Sequence, residues 1–264
     1  MIDTEIDGNI GWLTINRPDR SNALDVESIV ALEEGYRALD ADPGVRVVVL
    51  RGAGRGFSSG HDLAPKMADA TPLSVTEDWD LLLRQNRMLL TIWEGDTPVI
   101  AVVHGYCMGH AVELVTVCDL AVTSDDCRFA HPAIRAAGGS PNALTYPFAV
   151  GFARAKEYLW VTPELTGREA AEWGFVNRAV TAAELDALTA TWARRIASMP
   201  PENIRATKRG LRRLADQAGF RLSVEMGADL DALAHTSRAT ADWRERVANV
   251  GLAEAIRQRD EAFR

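Results

Sequence analysis

The sequence predicts an α/β fold that ends in an all-helical segment. Residues 45–51 and 99–103 are short apolar runs rich in β-branched side chains, as expected for buried strands, and glycines follow both runs. Segments with helical periodicity lie between the strand-like runs. From Ala182 onward no strand-like run occurs and helix formers dominate. Repeated β-then-α order followed by helices indicates a sheet covered by helices, with a helical region after it.

The first elements follow from alternation and from turn residues. Residues 2–6 and 10–16 alternate apolar and polar side chains around the turn sequence DGN, which predicts a β-hairpin. Residues 26–40 carry apolar side chains at helical spacing, and a Pro-Gly pair ends that helix just before the strand at 45–51.

The remaining elements are predicted from the same two periodicities. Pro200-Pro201 divides the helical tail, because proline cannot continue a helix interior. Weak patterning predicts loops at residues 64–76 and 138–141. The other predicted elements are helices at 79–94, 141–150, 153–160 and 166–173, a helix after Gly109, and short strands at 128–129 and 177–180.

Composition narrows the class of protein. The 264 residues are 47% hydrophobic and 25% charged, which is typical of a globular chain, and the net charge of −8 gives no general attraction to nucleic acid or to anionic membranes. Three cysteines without CxxC spacing argue against a disulfide or zinc framework. The acidic N-terminus does not resemble a targeting peptide, and no apolar run reaches the roughly 18 residues of a membrane span. We therefore expect a cytoplasmic protein.

The stretch at 97–123 is the predicted centre of the chain. A buried strand at 99–103 turns at Gly105, and a helix begins after Gly109, so the free N–H groups near His110 carry the positive end of the helix dipole. Glu113 follows His110 by about one helical turn and lies on the same face. The sequence thus places an anion site beside a carboxylate that can act as a base.

A second glycine-rich loop follows the strand at 45–51. Its small residues let a ligand approach the backbone, and Gly60 permits a conformation that turns the His61 N–H outward. That N–H would be a second donor. The loop lacks the Lys-Ser/Thr ending of a P-loop, which argues against that motif.

Several stretches together resemble the crotonase superfamily, also called the enoyl-CoA hydratase/isomerase family. Their order and spacing match over most of the chain. They are the sequences INRP and SNAL at 15–24, GFSSGHDL at 56–63, PVIAVVHGY at 98–106 continuing to Glu113, CDL at 118–120, and LTG, AA and GFVN between 165 and 177.

The resemblance implies a crotonase-like spiral of repeated ββα units with a helical C-terminal region. It divides the chain into a core with an acyl-CoA site, residues 1–195, and a helical oligomerisation region, residues 196–264, which would build a homotrimer or hexamer. It also implies an acyl-CoA thioester as substrate, and no cofactor beyond the coenzyme A moiety of that substrate. Neither a nucleic acid, a membrane nor a metal is expected as a partner.

By position, the resemblance assigns three catalytic residues. The backbone N–H groups of His61 and His110 would hold the thioester oxygen, and Glu113 would transfer the proton. Preorganised donors of this kind stabilise a developing oxyanion by several kcal/mol. The expected substrate contacts are Arg20, Ser21, Ser58, Gly60, Asp62, Leu63, Tyr106, Gly109, Pro132 and Ala133.

Two departures from the family pattern affect the predicted reaction. Gly109-His110-Ala111 replaces a Gly-Gly-Gly run, which predicts a narrower pocket, and the second catalytic glutamate of hydratases falls on Ala133. Hydration shares its proton transfers between two glutamates, whereas one carboxylate suffices to move a proton from the α to the γ carbon. Double-bond isomerisation is therefore the favoured reaction.

The alternatives stay open at this point. One alternative is hydration of enoyl-CoA with a substitute acid, His131 or Tyr146. The others are a catalytically silent acyl-CoA binding protein and a purely structural oligomer. Taken alone, Glu113 fits a helix-capping carboxylate, Asp62 a turn or capping residue, and Arg20 a solvated charge or a phosphate contact. The side chains at positions 110 and 131 suit packing or hydrogen bonding, and that of His61 suits either a surface position or a polar contact.

Overall fold

The computed structural model describes residues 1–62, 73–135 and 141–263. Strands and helices alternate through the first part of the chain and helices alone follow, which confirms the predicted α/β class. The strands are β1 (Ile2–Asp7), β2 (Ile10–Ile15), β3 (Val47–Gly52), β4 (Val99–Val103), β5 (Tyr106–Met108), β6 (Leu120–Ser124), β7 (Arg128–Ala130), β8 (Leu165–Thr166) and β9 (Arg178–Val180). The α-helices are α1 (Val26–Ala41), α2 (Val75–Glu94), α3 (His110–Val117), α4 (Tyr146–Trp160), α5 (Gly167–Trp173), α6 (Ala182–Ala197), α7 (Pro201–Gln217), α8 (Phe220–His235), α9 (Arg238–Val250) and α10 (Leu252–Phe263).

The main sheet has the strand order β1-β2-β3-β4-β6-β9. β1 and β2 form the predicted antiparallel hairpin, and every later neighbouring pair runs parallel. β4 is buried along its whole length, because helices cover both faces of a parallel sheet. This is why its sequence reads as an unbroken apolar run.

The two faces of the main sheet pack against different helices. Val48 and Leu50 of β3 point into the larger core, which includes the buried face of α1. Val47 and Val49 point to the opposite side, where α6 contributes Leu185 and Ala193 to a second cluster. The alternation along β3 thus fixes which helix lies on which face.

A small second sheet lies beside the main one, and of its strands only β7, predicted at 128–129, was expected from the sequence. β5 pairs with β7 in parallel, and β7 pairs with β8 in antiparallel orientation. Each of its strands has only two or three residues, too few for alternation to be visible in a sequence. An isolated bridge from Ser58 to Cys107 joins the loop after β3 to this sheet.

Two predicted helices differ from the structure at their starts. α2 begins at Val75, four residues before the predicted start, because Ser74 and Glu77 form a capping box. The segments predicted at 141–150 and 153–160 are one element, α4, which begins only at Tyr146 and is interrupted at Gly151, where φ is +78°. Before it, the backbone is hydrogen-bonded to other elements, with Asn86 of α2 donating to the Asn142 carbonyl at 2.6 Å.

The C-terminal helices are tied to the sheet by polar contacts as well as by apolar ones. Lys208 of α7 forms a 2.7 Å ion pair with Asp119 and donates to the Thr97 carbonyl at 3.1 Å, at the entry to β4. α6 runs to Ala197 and so crosses the predicted boundary at 195/196. The functional division of the chain at that point stays a prediction. Among the described helices, none has both the length and the apolar content required to cross a bilayer.

Candidate active site

The loop after β3 approaches the start of α3 at Gly60. Its φ of +81° suits glycine, and a Cβ there would lie 2.4 Å from the Met108 carbonyl oxygen and 3.1 Å from the His110 backbone nitrogen. The space therefore admits no side chain. This close approach brings His61 next to His110, and their rings stack with centroids 4.1 Å apart.

Backbone pairing holds the loop in that position. Leu24 N–H donates to the Gly60 carbonyl at 2.8 Å, and Asp62 N–H donates to the Leu24 carbonyl at 2.9 Å. On the other side, Met108 N–H donates to the Ser58 carbonyl at 3.0 Å. The loop is thus fixed between the segment before α1 and the second sheet.

A helix begins directly after Gly109, as predicted from the sequence. Gly109, with φ +56°, donates its N–H to the Ala130 carbonyl at 2.8 Å and precedes α3. His110 is the first residue of that helix, so its N–H has no partner within the helix. The structure brings the backbone of His61 and of His110 together at one helix N-terminus. Their role in holding a thioester oxygen stays a prediction.

Glu113 is completely buried among three side chains that can donate hydrogen bonds. His110 Nδ1 lies 2.7 Å from its Oε2, and His131 Nε2 lies 3.4 Å from its Oε1. Tyr146 of α4 is also fully buried, and its ring meets that of His131 edge-on at 5.7 Å. Since a carboxylate only accepts hydrogen bonds, His110 donates its Nδ1–H to Oε2, whereas His131 faces Oε1 without forming a hydrogen bond.

The charge state of this cluster follows from burial and hydrogen bonding. Burial alone would raise the pKa of Glu113, but the hydrogen bond from His110, the close approach of His131 and the electrostatic attraction of both rings outweigh it and lower that pKa to about 2. Burial, reinforced by the Glu113 charge, holds the pKa of the Tyr146 hydroxyl well above its usual value. At neutral pH the site thus contains a carboxylate that can accept a proton and a neutral phenol.

Two buried histidine nitrogens of the cluster lack a hydrogen-bond partner among the described residues. Within the described part of the chain, neither His110 Nε2 nor His131 Nδ1 has a hydrogen-bond partner, although both are buried. A buried polar atom without a partner costs about 1–3 kcal/mol. Such atoms are typical of a site that a ligand or water completes.

Two of the other expected contact residues, Ser58 and Asp62, hold the loop after β3 in place. The Ser58 hydroxyl donates to the Asn22 carbonyl at 2.7 Å and accepts from Gly60 N–H at 3.1 Å, so its hydroxyl shapes the loop. Asp62 lies 3.6 Å from Arg17 and braces the same loop.

Arg20 is exposed at the end of a short 3₁₀ helix, and Ser21 follows it in a left-handed conformation. The Tyr106 carbonyl accepts from Phe57 N–H at 3.0 Å, which ties the loop to β5. Pro132 and Ala133 are partly exposed in the 3₁₀ turn directly after His131. The expected contact Leu63 lies outside the described residues, as do the glycines predicted as a loop at 138–139.

Two supporting residues were missed at the sequence level. Arg17 reaches both the Ala23 carbonyl and Asp25, at 2.5 and 2.7 Å. Asn22 has a φ of +54° and donates to the Ala53 and Gly56 carbonyls at 2.7 and 2.9 Å. The available signal was a polar residue directly before the apolar pair Ala23-Leu24, and the structure shows that the Asn22 side chain is fully buried. Its partners are more than 30 residues away in sequence, so spacing alone could not identify them.

Neither a group of metal ligands nor the groove between α2 and α8 points to a different reaction centre in the described part of the chain. In residues 1–62, 73–135 and 141–263, no three His, Cys, Asp or Glu side chains group as metal ligands. A groove of about 680 Å³ lies between α2 and α8, lined by residues such as Trp79 and Met226. It contains no member of the Glu113 cluster, so the chemistry is assigned to the cluster.

Comparison with known proteins gives a consistent result. The family model described as enoyl-CoA hydratase/isomerase matches residues 5–246. An (E)-benzylidenesuccinyl-CoA hydratase of Thauera aromatica is 30% identical, with 77% of this chain and 79% of that protein covered. A peroxisomal Delta(3,5)-Delta(2,4)-dienoyl-CoA isomerase of Arabidopsis thaliana is 31% identical, with 92% and 89% covered.

A solved structure extends the likeness to the fold. The crystal structure of an enoyl-CoA hydratase/isomerase from Xanthobacter autotrophicus Py2 superposes with a TM-score of 0.94 at 33% identity, covering 100% of this chain and 98% of that one. The likeness confirms the predicted crotonase-like architecture.

Acid unfolding tests the environment of Glu113. A carboxyl whose pKa falls from 4.5 to about 2 on folding stabilises the fold fully above pH about 5, and this contribution is lost as the pH falls toward about 2. We expect the free energy of unfolding to fall less steeply between about pH 5 and pH 3 in Glu113→Gln than in the wild type. Urea titrations at several pH values measure this slope. Glu5→Gln, which removes an exposed carboxyl, is the control. An equal slope in the wild type and Glu113→Gln would contradict the assigned environment.

Proposed function

Because the chain belongs to the enoyl-CoA hydratase/isomerase family, whose members act on acyl-CoA thioesters, we propose that this enzyme moves a double bond within an enoyl-CoA. The observation that carries the proposal is a single buried carboxylate. Glu113 lies one helical turn from His110, whose ring stacks on that of His61, and the position where a second glutamate would be expected is Ala133. One proton-transfer group and one anion site suit isomerisation.

The reaction has two proton transfers. Glu113 takes a proton from the α carbon of a 3-enoyl-CoA, and the electron pair of that bond moves toward the thioester, whose oxygen becomes an enolate. The N–H groups of His61 and His110 stabilise this oxygen, each donor being worth about 100- to 1,000-fold in rate. Glu113 then returns the proton to the γ carbon, and the double bond is left between the α and β carbons.

Hydration is the second candidate, favoured by two observations. His131 Nε2 lies 3.4 Å from Glu113 Oε1, and the neutral Tyr146 hydroxyl is buried in the same cluster, so an acid beside the base is available. Relatives at about equal identity include both a hydratase and an isomerase. The prediction that the chain is an enzyme is confirmed, and neither the silent binding protein nor the structural oligomer is proposed further.

We also propose that the chain assembles as a homotrimer or hexamer, in the cytoplasm. The support for assembly is an exposed apolar stripe on α8, where side chains recur at helical spacing. Its members are Leu222, Met226, Leu230 and Leu233, between 42% and 61% exposed. Stripes of this kind usually mark contact surfaces.

The oligomer can be measured by light scattering. We expect a mass of three or six times 28.8 kDa, and a shift toward lower mass in Leu233→Asp, because a charge in an apolar contact is unfavourable. Val30→Asp, at an exposed position of α1, is the control. A wild-type monomer at micromolar concentration would remove the assembly proposal.

The proposed reaction is tested by assays of 3-enoyl-CoA isomerisation and 2-enoyl-CoA hydration. We expect Glu113→Gln to lower kcat for isomerisation by about 1,000-fold, because an amide cannot accept the α proton. Glu5→Gln is again the control for the loss of an exposed carboxyl.

The outcomes separate the candidates. Unchanged turnover in Glu113→Gln would remove Glu113 from the mechanism. Wild-type hydration of 2-enoyl-CoA without isomerisation of 3-enoyl-CoA would replace the leading proposal by the second candidate.

A further inference from the structure

The two oxygens of Glu113 have different surroundings. Oε2 lies 2.7 Å from His110 Nδ1, at the distance of a strong charge-assisted hydrogen bond. Oε1 lies 3.4 Å from His131 Nε2, which is too far for a strong hydrogen bond. Within the described residues Oε1 has no hydrogen-bond partner. One oxygen is thus occupied, and the other is free to exchange a proton.

The His110 ring is held so that it faces Oε2. It is three residues before Glu113 on α3, with a side chain that is 1% exposed, and it stacks on the His61 ring. The stacking partner comes from the loop that Gly60 brings close to the helix. Because burial and the stacked His61 ring hold the His110 ring in place, its Nδ1 hydrogen bond holds the Glu113 carboxylate in place as well.

We propose that the His110 side chain is a positioning residue whose Nδ1–H occupies Oε2 of Glu113, so that Oε1 alone takes a proton from the ligand and returns it. This inference rests on the proposed function and adds to it. The His110 backbone N–H donates to the thioester oxygen, while its side chain donates to Glu113.

The His110 side chain also affects the pKa of Glu113. The titratable groups facing Glu113 are His110 on its own helix, His131 after β7, and Tyr146 and Tyr158 on α4. The two tyrosines remain neutral, because burial raises the pKa of both hydroxyls. The histidines therefore supply the stabilisation that keeps a fully buried carboxylate charged. Without the Nδ1 donor, burial would raise the pKa of Glu113 and leave it protonated at a higher pH.

Two variants, His110→Asn and His110→Gln, test whether the position of the hydrogen-bond donor to Glu113 matters. In His110→Asn the amide nitrogen is the same number of bonds from Cα as Nδ1, so it can still donate to Oε2. In His110→Gln the amide nitrogen corresponds to Nε2 and reaches past Oε2. The two variants retain the backbone N–H and differ mainly in where the donor lies.

The kinetic readout is the pH dependence of kcat and KM with 3-enoyl-CoA. We expect His110→Gln to lose about 100-fold in kcat and His110→Asn less than about tenfold, because misplacing a reacting group by about 1 Å costs about 100-fold. KM should change little in either. The acid limb of the rate profile should move to higher pH in His110→Gln alone, since a base with a raised pKa regains its charge only as the pH rises.

Equal losses in the two variants, or an unmoved acid limb in His110→Gln, would overturn the proposal. Circular dichroism melting shows whether each variant folds. Should His110→Gln not fold, His110→Ala replaces it, because alanine removes the donor without adding bulk.

Titration of the Glu113 carboxyl tests the positioning role without requiring turnover of a substrate. ¹³C NMR of glutamate-labelled protein follows the protonation of Glu113 without turnover, and the Glu113→Gln spectrum assigns the signal. A higher pKa of Glu113 in His110→Gln than in His110→Asn supports the positioning role even if no enoyl-CoA is turned over, in which case only the proposed function fails. The same pKa in both variants overturns the positioning role.

Discussion

A carboxylate without access to water is stable as an anion only where hydrogen-bond donors replace its hydration. Glu113 has no exposed surface. His110 on the same helix donates a hydrogen bond to it, and His131, which follows β7, approaches its other oxygen to 3.4 Å. Each of the two rings requires a different part of the fold to be in place. The charge at the centre of the site therefore depends on the packing of α3, the second sheet and α4 together.

The approach of Gly60 to α3 links this charge to the expected ligand site. With no side chain at position 60, the loop comes within contact distance of the Met108 carbonyl and the His110 nitrogen. Asn22 and Arg17 brace the loop from the other side. The same approach puts the His61 ring against the His110 ring, so one glycine allows the close approach of the loop to α3 and the contact between the two rings.

The features predicted from sequence were those with local signals. β4, α3 and the hairpin of β1 and β2 follow from alternation, apolar runs and glycine turns within a few residues. β5 was missed because three residues show no period, and α4 was predicted too early because residue 142 bonds to α2 instead of starting a helix. The approach of His131 to Glu113 spans 18 positions and arises from sheet pairing, which no local pattern contains.

The central claim is that Glu113 removes a proton next to a thioester, whichever product follows. Exchange of α protons for deuterium in a saturated acyl-CoA, followed by ¹H NMR in D₂O, measures that step without any change of the double bond. We expect the wild-type enzyme to catalyse the exchange and Glu113→Gln not to catalyse it. Exchange at equal rates in both proteins, or none in a wild-type protein that binds the ligand, would contradict it.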